Sequence, residues 1–155
     1  MIKHIKCDIF ESGADVILHQ VNCQGVMGSG VARQVKDKYP HVFRYYKMVC
    51  NSAETKKRLL GTALMVEIED GNHYIGNLFA QENFGYDGKC YTDYEALKES
   101  LRRSISTVDL NHKPIIAIPY LMGCHRGGGD WNIVYKMIEE IFQDYDVLIC
   151  EYDGG

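Results

Sequence analysis

The sequence predicts an α/β protein: a three-layer α/β/α sandwich in which helices cover both faces of a mixed, largely parallel central sheet. Short apolar runs typical of strands buried on both faces alternate along the chain with amphipathic helical segments. One pair of strands is joined by a tight turn, so part of the sheet is antiparallel. The 155 residues are 46% hydrophobic and 25% charged, which fits a single domain over residues 1–155.

The first half of the chain predicts two strands and two helices. Ile2 to Lys6 alternates like a strand, and residues 15–21 form a mostly apolar run typical of a buried strand. A glycine-rich loop, residues 22–30, leads into a helix. Pro40 ends that helix and can open the next one, over 41–50.

The middle of the chain predicts a hairpin and a third helix. Residues 63–68 and 73–79 are strand-like, and the Asp-Gly pair in 69–72 is typical of a tight hairpin turn. Residues 81–90 are polar and form a loop. Residues 92–95, Thr-Asp-Tyr-Glu, read as a capping box that starts a helix.

The last third repeats the order of strand, glycine loop and helix. Residues 115–118 form a buried strand, and a second glycine-rich loop follows at 123–129. Asp130 is the expected N-cap of a helix with an apolar stripe, and 146–150 form the closing strand. Both glycine loops thus follow a buried strand and precede a helix, where ligands bind in such sheets.

Composition excludes several classes of protein. No stretch approaches about 18 uncharged apolar residues, and the first residues lack the apolar block of a signal peptide, so we expect a cytoplasmic protein without a membrane span. The six cysteines form no C-x-x-C pair, which argues against a zinc site. A net charge of −4 argues against general nucleic-acid binding. Backbone amides can still hold a small anion.

The glycine loops favour phosphate binding by the main chain. Gly25 and Gly30 have P-loop spacing, but Val31 and Ala32 stand where Lys and Ser or Thr would be needed. Arg33 likewise breaks the dinucleotide fingerprint. Each loop is also consistent with a plain tight turn. Two glycine-rich loops facing one crevice would grip a pyrophosphate from both sides without lysine or magnesium.

The motifs at 7–10, 22–32 and 118–131 resemble the macro domain, the ADP-ribose-binding module, nearest to its ADP-ribose-1''-phosphate phosphatase-like branch. The resemblance implies that Asp8 and the Ile9 backbone read the adenine and that Tyr152 flanks it. Asp8 is otherwise a strand-end turn residue, and Tyr152 an ordinary half-buried aromatic. The resemblance also implies that the diphosphate and the distal ribose lie between the two glycine loops. The residues that it implies there are Asn22, Gln24, Gly25, Met27, Gly28, Ser29, Gly30, Val31, Pro119, Met122, Gly123, Cys124, His125, Arg126, Gly127 and Gly128.

Two family positions differ here. Hydrolases of this branch that act on carboxylate esters carry a Lys and an Asp where Gln81 and Gly127 stand. A Lys-dependent covalent mechanism is therefore not expected. His125 and Arg126 can contact phosphate or form a solvated loop tip. Cys124 is not expected to act as a nucleophile, because no His or Lys arrangement singles it out.

Three residues are the candidate catalytic groups. His19 matches a histidine of the phosphatase-like members, and it is otherwise a core histidine that shares a face with Ile17 and Val21. Asn22 matches the position facing the distal ribose. Asp130 can orient a water, and it is otherwise simply the helix N-cap.

The resemblance implies hydrolysis of ADP-ribose-1''-phosphate to ADP-ribose and phosphate, without a cofactor or metal. The alternatives are a non-catalytic ADP-ribose reader and a hydrolase that removes ADP-ribose from modified proteins. Expected partners are ADP-ribose, ADP-ribose-1''-phosphate and ADP-ribosylated protein.

Overall fold

A six-stranded sheet lies at the middle of the protein, in a computed structural model that describes residues 1–69, 71–108 and 110–152. The helices and strands of these residues follow in the order β1 (Ile2–Lys6), β2 (Val16–Asn22), α1 (Gly30–Lys38), α2 (Pro40–Ser52), β3 (Ala63–Ile68), β4 (His73–Gln81), α3 (Tyr94–Ser104), β5 (Ile116–Pro119), α4 (Trp131–Ile141) and β6 (Val147–Glu151). Two short 3₁₀ turns, Ile9–Glu11 and Lys56–Leu59, were not predicted.

The sheet order is β1-β6-β5-β2-β4-β3. Strand β3 runs antiparallel to β4, and every other neighbouring pair is parallel. The prediction of a mixed, largely parallel sheet is confirmed. Because β2 and β5 are parallel neighbours, their carboxyl ends meet at one edge, and the two glycine loops leave the sheet side by side.

Helices cover both faces of the sheet, because alternate residues of its strands face opposite sides. Ile17 packs with Tyr46 and the rest of the α1–α2 layer. Leu18 points the other way, to Leu101 and Ile138 of α3 and α4. Fully burying one such aliphatic side chain stabilises the fold by about 1.5–3 kcal/mol. The three-layer prediction is confirmed.

The predicted capping box is wrong at its first residue. Asp93, not Thr92, is the N-cap of α3, and its carboxylate accepts a bond from the Ala96 amide at 3.0 Å. The Thr92 hydroxyl instead donates to the Gly123 carbonyl at 2.6 Å. The structure therefore uses Thr92 to support the second glycine loop.

The hairpin between β3 and β4 forms where it was predicted. Strand β3 ends at Ile68 and β4 begins at His73. Glu69 and Gly71 both have left-handed backbones, with φ of 58° and 80°. Asp70, which was part of the predicted turn, lies outside the described residues. Among the helices that the structure describes, none combines the length and apolarity that crossing a bilayer requires.

Candidate functional site

The two glycine loops line one cavity of about 700 Å³ at the carboxyl edge of the sheet. This size is typical of pockets for small ligands. The first glycine loop contributes Val26 and residues 28–31, and the second contributes residues 122–123 and 125–127. The end of β4 and the β4–α3 loop contribute Gln81 and residues 84–86, and the end of β6 contributes Glu151 and Tyr152. The crevice inferred from the two loops is present.

Asn22 braces the first glycine loop from within. Its Oδ1 accepts bonds from the Gln24 amide at 2.9 Å and the Val26 amide at 3.4 Å, and its Nδ2 donates to the Val26 carbonyl at 2.8 Å. The hydroxyl of the buried Tyr46 lies 2.7 Å from the Asn22 carbonyl and 2.9 Å from its Oδ1. Desolvation raises the pKa of Tyr46, so this hydroxyl stays a donor.

The first turn of α1 opens into the cavity without a side-chain cap. Carboxylates cap α3 and α4, from Asp93 and Asp130. At the start of α1, the N-cap Ser29 makes no side-chain capping bond. Within the described part of the chain, no protein group accepts a bond from the amides of residues 28–32. Such a helix start suits an anion.

The second glycine loop offers a similar row of amides. Within the described residues, no protein acceptor faces the backbone N–H groups of residues 125–128. The Gly127 carbonyl accepts bonds from the Tyr91 and Thr92 amides at 2.7 and 3.0 Å. The loop is therefore anchored through its carbonyl while its amides remain available to a ligand.

Gly127 is surrounded so closely that a side chain cannot fit in this backbone conformation. A Cβ there would stand 2.6 Å from the Gly123 carbonyl oxygen and would collide with the Thr92 hydroxyl. The hydroxyl of Thr92 also accepts a bond from Gln20 Nε2 at 2.9 Å, and Gln20 Nε2 contacts Gln81 Oε1 at 2.7 Å. Gln81 and Gly127 are thus joined by one polar network beneath the cavity.

His19 lines the cavity floor but is only 2% exposed. Its Nε2 lies 2.7 Å from Asn77 Oδ1, while Asn77 Nδ2 donates to the Leu64 carbonyl. Nε2 therefore carries the proton, and Nδ1 has no partner among the described residues. Desolvation lowers the pKa of His19 to about 4, although the bond to Asn77 opposes the shift. At neutral pH the group is an uncharged imidazole that can accept a hydrogen bond.

Arg126 and Tyr86 meet over the cavity mouth. The Arg126 guanidinium lies 4.5 Å from the centre of the Tyr86 ring. The Tyr86 hydroxyl is 3.9 Å from the position that a Cβ on Gly28 would take. One exposed tyrosine thus spans from the second glycine loop to the first.

Several predicted site residues do not line the cavity. The Gln24 side chain donates to the Glu82 carbonyl at 2.9 Å, and Met27 is buried in the core. Asp130 caps α4 through its bond with the Asn132 amide at 2.9 Å. Gly25, Gly128 and Cys124 are also absent from the lining. Burial raises the pKa of the Cys124 thiol to about 11, with the charge of Asp130 adding to the effect.

The predicted adenine readers sit just outside the cavity. The Asp8 carboxylate accepts a bond from the Phe10 amide at 2.9 Å and caps a 3₁₀ turn, while Ile9 is buried. The backbone of Cys7, the residue before Asp8, bonds to the Glu151 carbonyl. This places Asp8 beside the end of β6, next to Tyr152, which does line the cavity. Their adenine contacts stay predictions.

The remaining predicted residues lie in the lining, together with some that the sequence did not indicate. Asn22, Pro119 and Met122 are among the predicted ones. The unpredicted ones include Gln34, Phe84, Tyr86, Tyr120, Leu121 and Glu151. Phe84 and Tyr86 are exposed aromatics in a polar loop, a signal of binding that the sequence did carry.

Charged and metal-ligating groups are sparse in the lining. Arg126 and Glu151 are its charged side chains, and Glu151 pairs with His4 at 3.3 Å and Lys6 at 3.9 Å. In the residues that the structure describes, no group of three or more His, Cys, Asp or Glu side chains is placed to hold a metal.

Two relatives are similar to this chain in sequence. The DNA ADP-ribosyl glycohydrolase of Mycobacterium tuberculosis is 30% identical over 161 residues; the alignment covers all of this chain but 43% of that protein. The chain therefore spans less than half the length of this relative. An ADP-ribose 1''-phosphate phosphatase of Scheffersomyces stipitis is 28% identical, with 98% of this chain and 99% of that protein covered.

A solved structure and a family model also match this chain. The macrodomain of Mycobacterium tuberculosis DarG superposes with a TM-score of 0.77 at 27% identity, over 97% of each chain. The model of the Macro domain family matches residues 18–138, which include both glycine loops. This chain belongs to the macro domain family.

Proposed function

We propose that this macro domain binds ADP-ribose in the cavity between its two glycine loops and hydrolyses ADP-ribose-1''-phosphate to ADP-ribose and phosphate. The observation that carries the proposal is that the two glycine loops line one cavity and that their amides at residues 28–32 and 125–128 lack protein acceptors within the described residues. A diphosphate between them receives hydrogen bonds from both sides and the favourable end of the α1 dipole.

The side chains suit a reaction that depends on positioning. Arg126 is the cation of the lining, and its planar guanidinium matches a phosphate monoester. Asn22 keeps one Nδ2 hydrogen beyond its bond to Val26, and this hydrogen can donate to a ribose hydroxyl. The bare Nδ1 of neutral His19 can hold a water by accepting its proton in a hydrogen bond. These roles rest on the location of each residue in the lining.

A second candidate is the removal of ADP-ribose from a macromolecule. The mycobacterial relative at 30% identity carries the name of such an enzyme, with DNA as the modified molecule. ADP-ribosylated protein is the other candidate macromolecular substrate. Each reaction would release the group attached at the distal ribose C1'' and leave ADP-ribose in the same cavity.

Binding is tested by calorimetry with ADP-ribose in magnesium-free buffer. We expect saturable binding without added metal, because amides neutralise the diphosphate. Adenosine, which lacks the diphosphate, serves as the matched ligand and should bind far more weakly. Absence of heat with ADP-ribose at high concentration would overturn the whole assignment.

Activity is tested by phosphate release from ADP-ribose-1''-phosphate. We expect release by the wild type and a marked loss in His19→Gln and in Asn22→Ala, with the exposed His112→Gln as the control. A protein that binds ADP-ribose but releases no phosphate would be a reader or act on macromolecules. Release of ADP-ribose from labelled modified DNA or protein then separates those two.

A further inference from the structure

Positive charge is concentrated in one segment of the chain. Residues 33–58 contain eight of the 17 Lys and Arg residues but two of the 21 Asp and Glu residues. This segment therefore carries a formal charge of +6, and the remainder carries −10. The net charge of −4, from which we expected no general nucleic-acid binding, averages over two unlike parts.

Seven of the eight cations of this segment are exposed, and Lys56 is half-buried and donates to the Cys50 carbonyl. Helices α1 and α2 bury Val35 and Tyr46 against the sheet, while Lys36, Arg44 and Lys47 are exposed. Elsewhere in the segment, Arg58 pairs with Glu54. Among the described residues, no carboxylate lies within 4.0 Å of the charged groups of these three exposed cations. Their charge is therefore available to a partner.

These cations surround an apolar groove along α2. The groove has a volume of about 490 Å³ and is lined by Phe43, Arg44, Lys47, Met48, Asn51 and Ser52. The ammonium groups of Lys36 and Lys47 lie 4.5 and 5.8 Å from the centre of the Phe43 ring. Met48, which also lines the groove, is 57% exposed. One cation of α1 and one of α2 thus lie over the same apolar ring in the groove.

A nucleic acid strand matches both features of the groove. Its phosphates neutralise the cations at the rim, and the face of a base or sugar covers the apolar side chains. An acidic peptide would match the cations alone. A membrane-binding helix would show a much wider apolar face than Met48 and Phe43 provide.

The groove reaches the outer side of the first glycine loop. Lys47 Cγ lies 3.7 Å from the position of a Cβ on Gly25. Gly25 precedes Val26 and Gly28, which line the cavity from the other side. A strand bound along α2 therefore lies next to the loop that borders the cavity mouth.

We propose that the groove along α2, with Lys36, Arg44 and Lys47 at its rim, is a docking surface for a single-stranded nucleic acid. The surface is separate from the ADP-ribose cavity, and its occupancy does not depend on the reaction at C1''. The phosphodiester backbone provides the attraction, so binding has little sequence preference and depends strongly on salt.

The test measures anisotropy of a fluorescent oligothymidylate over a range of salt concentrations. In Lys36→Glu/Arg44→Glu we expect affinity at low salt to fall by about tenfold or more, and the slope of log K against log salt to decrease by about 1.4. Arg102→Glu/Lys136→Glu makes the same change in net charge on α3 and α4, across the sheet, and should retain wild-type binding. Both double variants should bind ADP-ribose normally in calorimetry.

Three results would overturn the proposal. The first is a wild type that does not bind the oligonucleotide at low salt. The second is an equal loss in both double variants, which would reduce the effect to net charge. The third is that poly-glutamate or anionic phospholipid vesicles displace the fluorescent oligonucleotide as effectively as unlabelled oligothymidylate does. That result would assign the surface to an acidic protein or to a membrane. Because ADP-ribose binding is measured separately, failure here is distinguishable from failure of the cavity assignment.

Discussion

A single hydroxyl group supports the first glycine loop from the core. The Tyr46 hydroxyl contacts both the carbonyl and the side-chain oxygen of Asn22. Tyr46→Phe keeps the ring but removes this donor from the Asn22 carbonyl, while Asn22 Oδ1 keeps its bonds from the Gln24 and Val26 amides. We expect the free energy of unfolding to fall by about 1–3 kcal/mol in urea denaturation.

The neighbouring tyrosine provides the control for this change. Tyr45 is 51% exposed, so Tyr45→Phe should alter stability by less than about 0.5 kcal/mol. If the two variants were equally stable, the Tyr46 hydroxyl would have no bracing role. Weaker ADP-ribose binding in Tyr46→Phe alone would further connect the brace to the shape of the loop.

Residue roles were only partly predictable, because local patterns do not report distant partners. Asp130 was recognised as an N-cap from its position before an amphipathic helix, and the structure shows that cap. Tyr46 and Asn22 are 24 positions apart, so no local pattern joins them. Thr92 and Asp93 both carry a short polar side chain just before α3, so either could cap the helix. Because the Thr92 hydroxyl bonds to the distant Gly123 carbonyl, Asp93 is the residue that caps α3.

The second glycine loop depends on the absence of a side chain at Gly127. In Gly127→Ala the new methyl group meets the Gly123 carbonyl oxygen at 2.6 Å, so the loop must move and its amides lose their alignment. We expect ADP-ribose affinity measured by calorimetry to fall by about tenfold, the equivalent of one hydrogen bond.

Gly88→Ala separates this effect from ordinary backbone strain. Gly88 has a φ of 79°, and nothing lies within 4 Å of its Cβ position. The substitution should cost stability through its backbone alone and leave ADP-ribose affinity near the wild-type value. Unchanged affinity in Gly127→Ala would show that this loop does not hold the ligand. Gly127→Asp should fail to recreate the family aspartate, since the same collision applies.

Elements were predicted well where periodicity is strong. The apolar run at 15–21 and the capped helix after Asp130 correspond to β2 and α4 within one residue at their starts. The 3₁₀ turn at Lys56–Leu59 was missed, because four residues are too few to show a hydrophobic period. The β4–α3 loop was recognised as a loop, but its path over the cavity depends on bonds to the second glycine loop that no local pattern encodes.

The burial of His19 makes the stability of the whole molecule depend on pH. The unfolded chain binds a proton at this residue near pH 6.5, whereas the folded protein does so only near pH 4. Acid therefore favours unfolding across this window. From pH 6.5 to pH 4, the free energy of unfolding should fall by roughly 3 kcal/mol more in the wild type than in His19→Gln.

Chemical denaturation at several pH values checks this expectation. Well above pH 6.5 the histidine is neutral in both states, so its contribution to the slope should vanish. Parallel curves for the wild type and His19→Gln would mean that the pKa of His19 is not depressed in the folded protein.

The arrangement of the whole molecule was predicted from the order of its helices and strands more than from any single residue. Strand–loop–helix units after β2 and β5 predicted two loops at one edge, and the parallel pairing of those strands brings them together. The strand order β1-β6-β5-β2-β4-β3 was not predicted, because pairing depends on packing between distant segments. The uneven distribution of charge was present in the sequence, but the total of −4 concealed it.

The contact between Arg126 and Tyr86 has a kinetic consequence. An exposed cation–π pair contributes about 0.5–1 kcal/mol, which is close to thermal energy. The β4–α3 loop, which carries Tyr86, and the second glycine loop, which carries Arg126, therefore separate and rejoin spontaneously, without a triggering molecule. Uptake should show one exponential phase whose rate rises in proportion to nucleotide concentration, instead of reaching the plateau that a slow gate would impose.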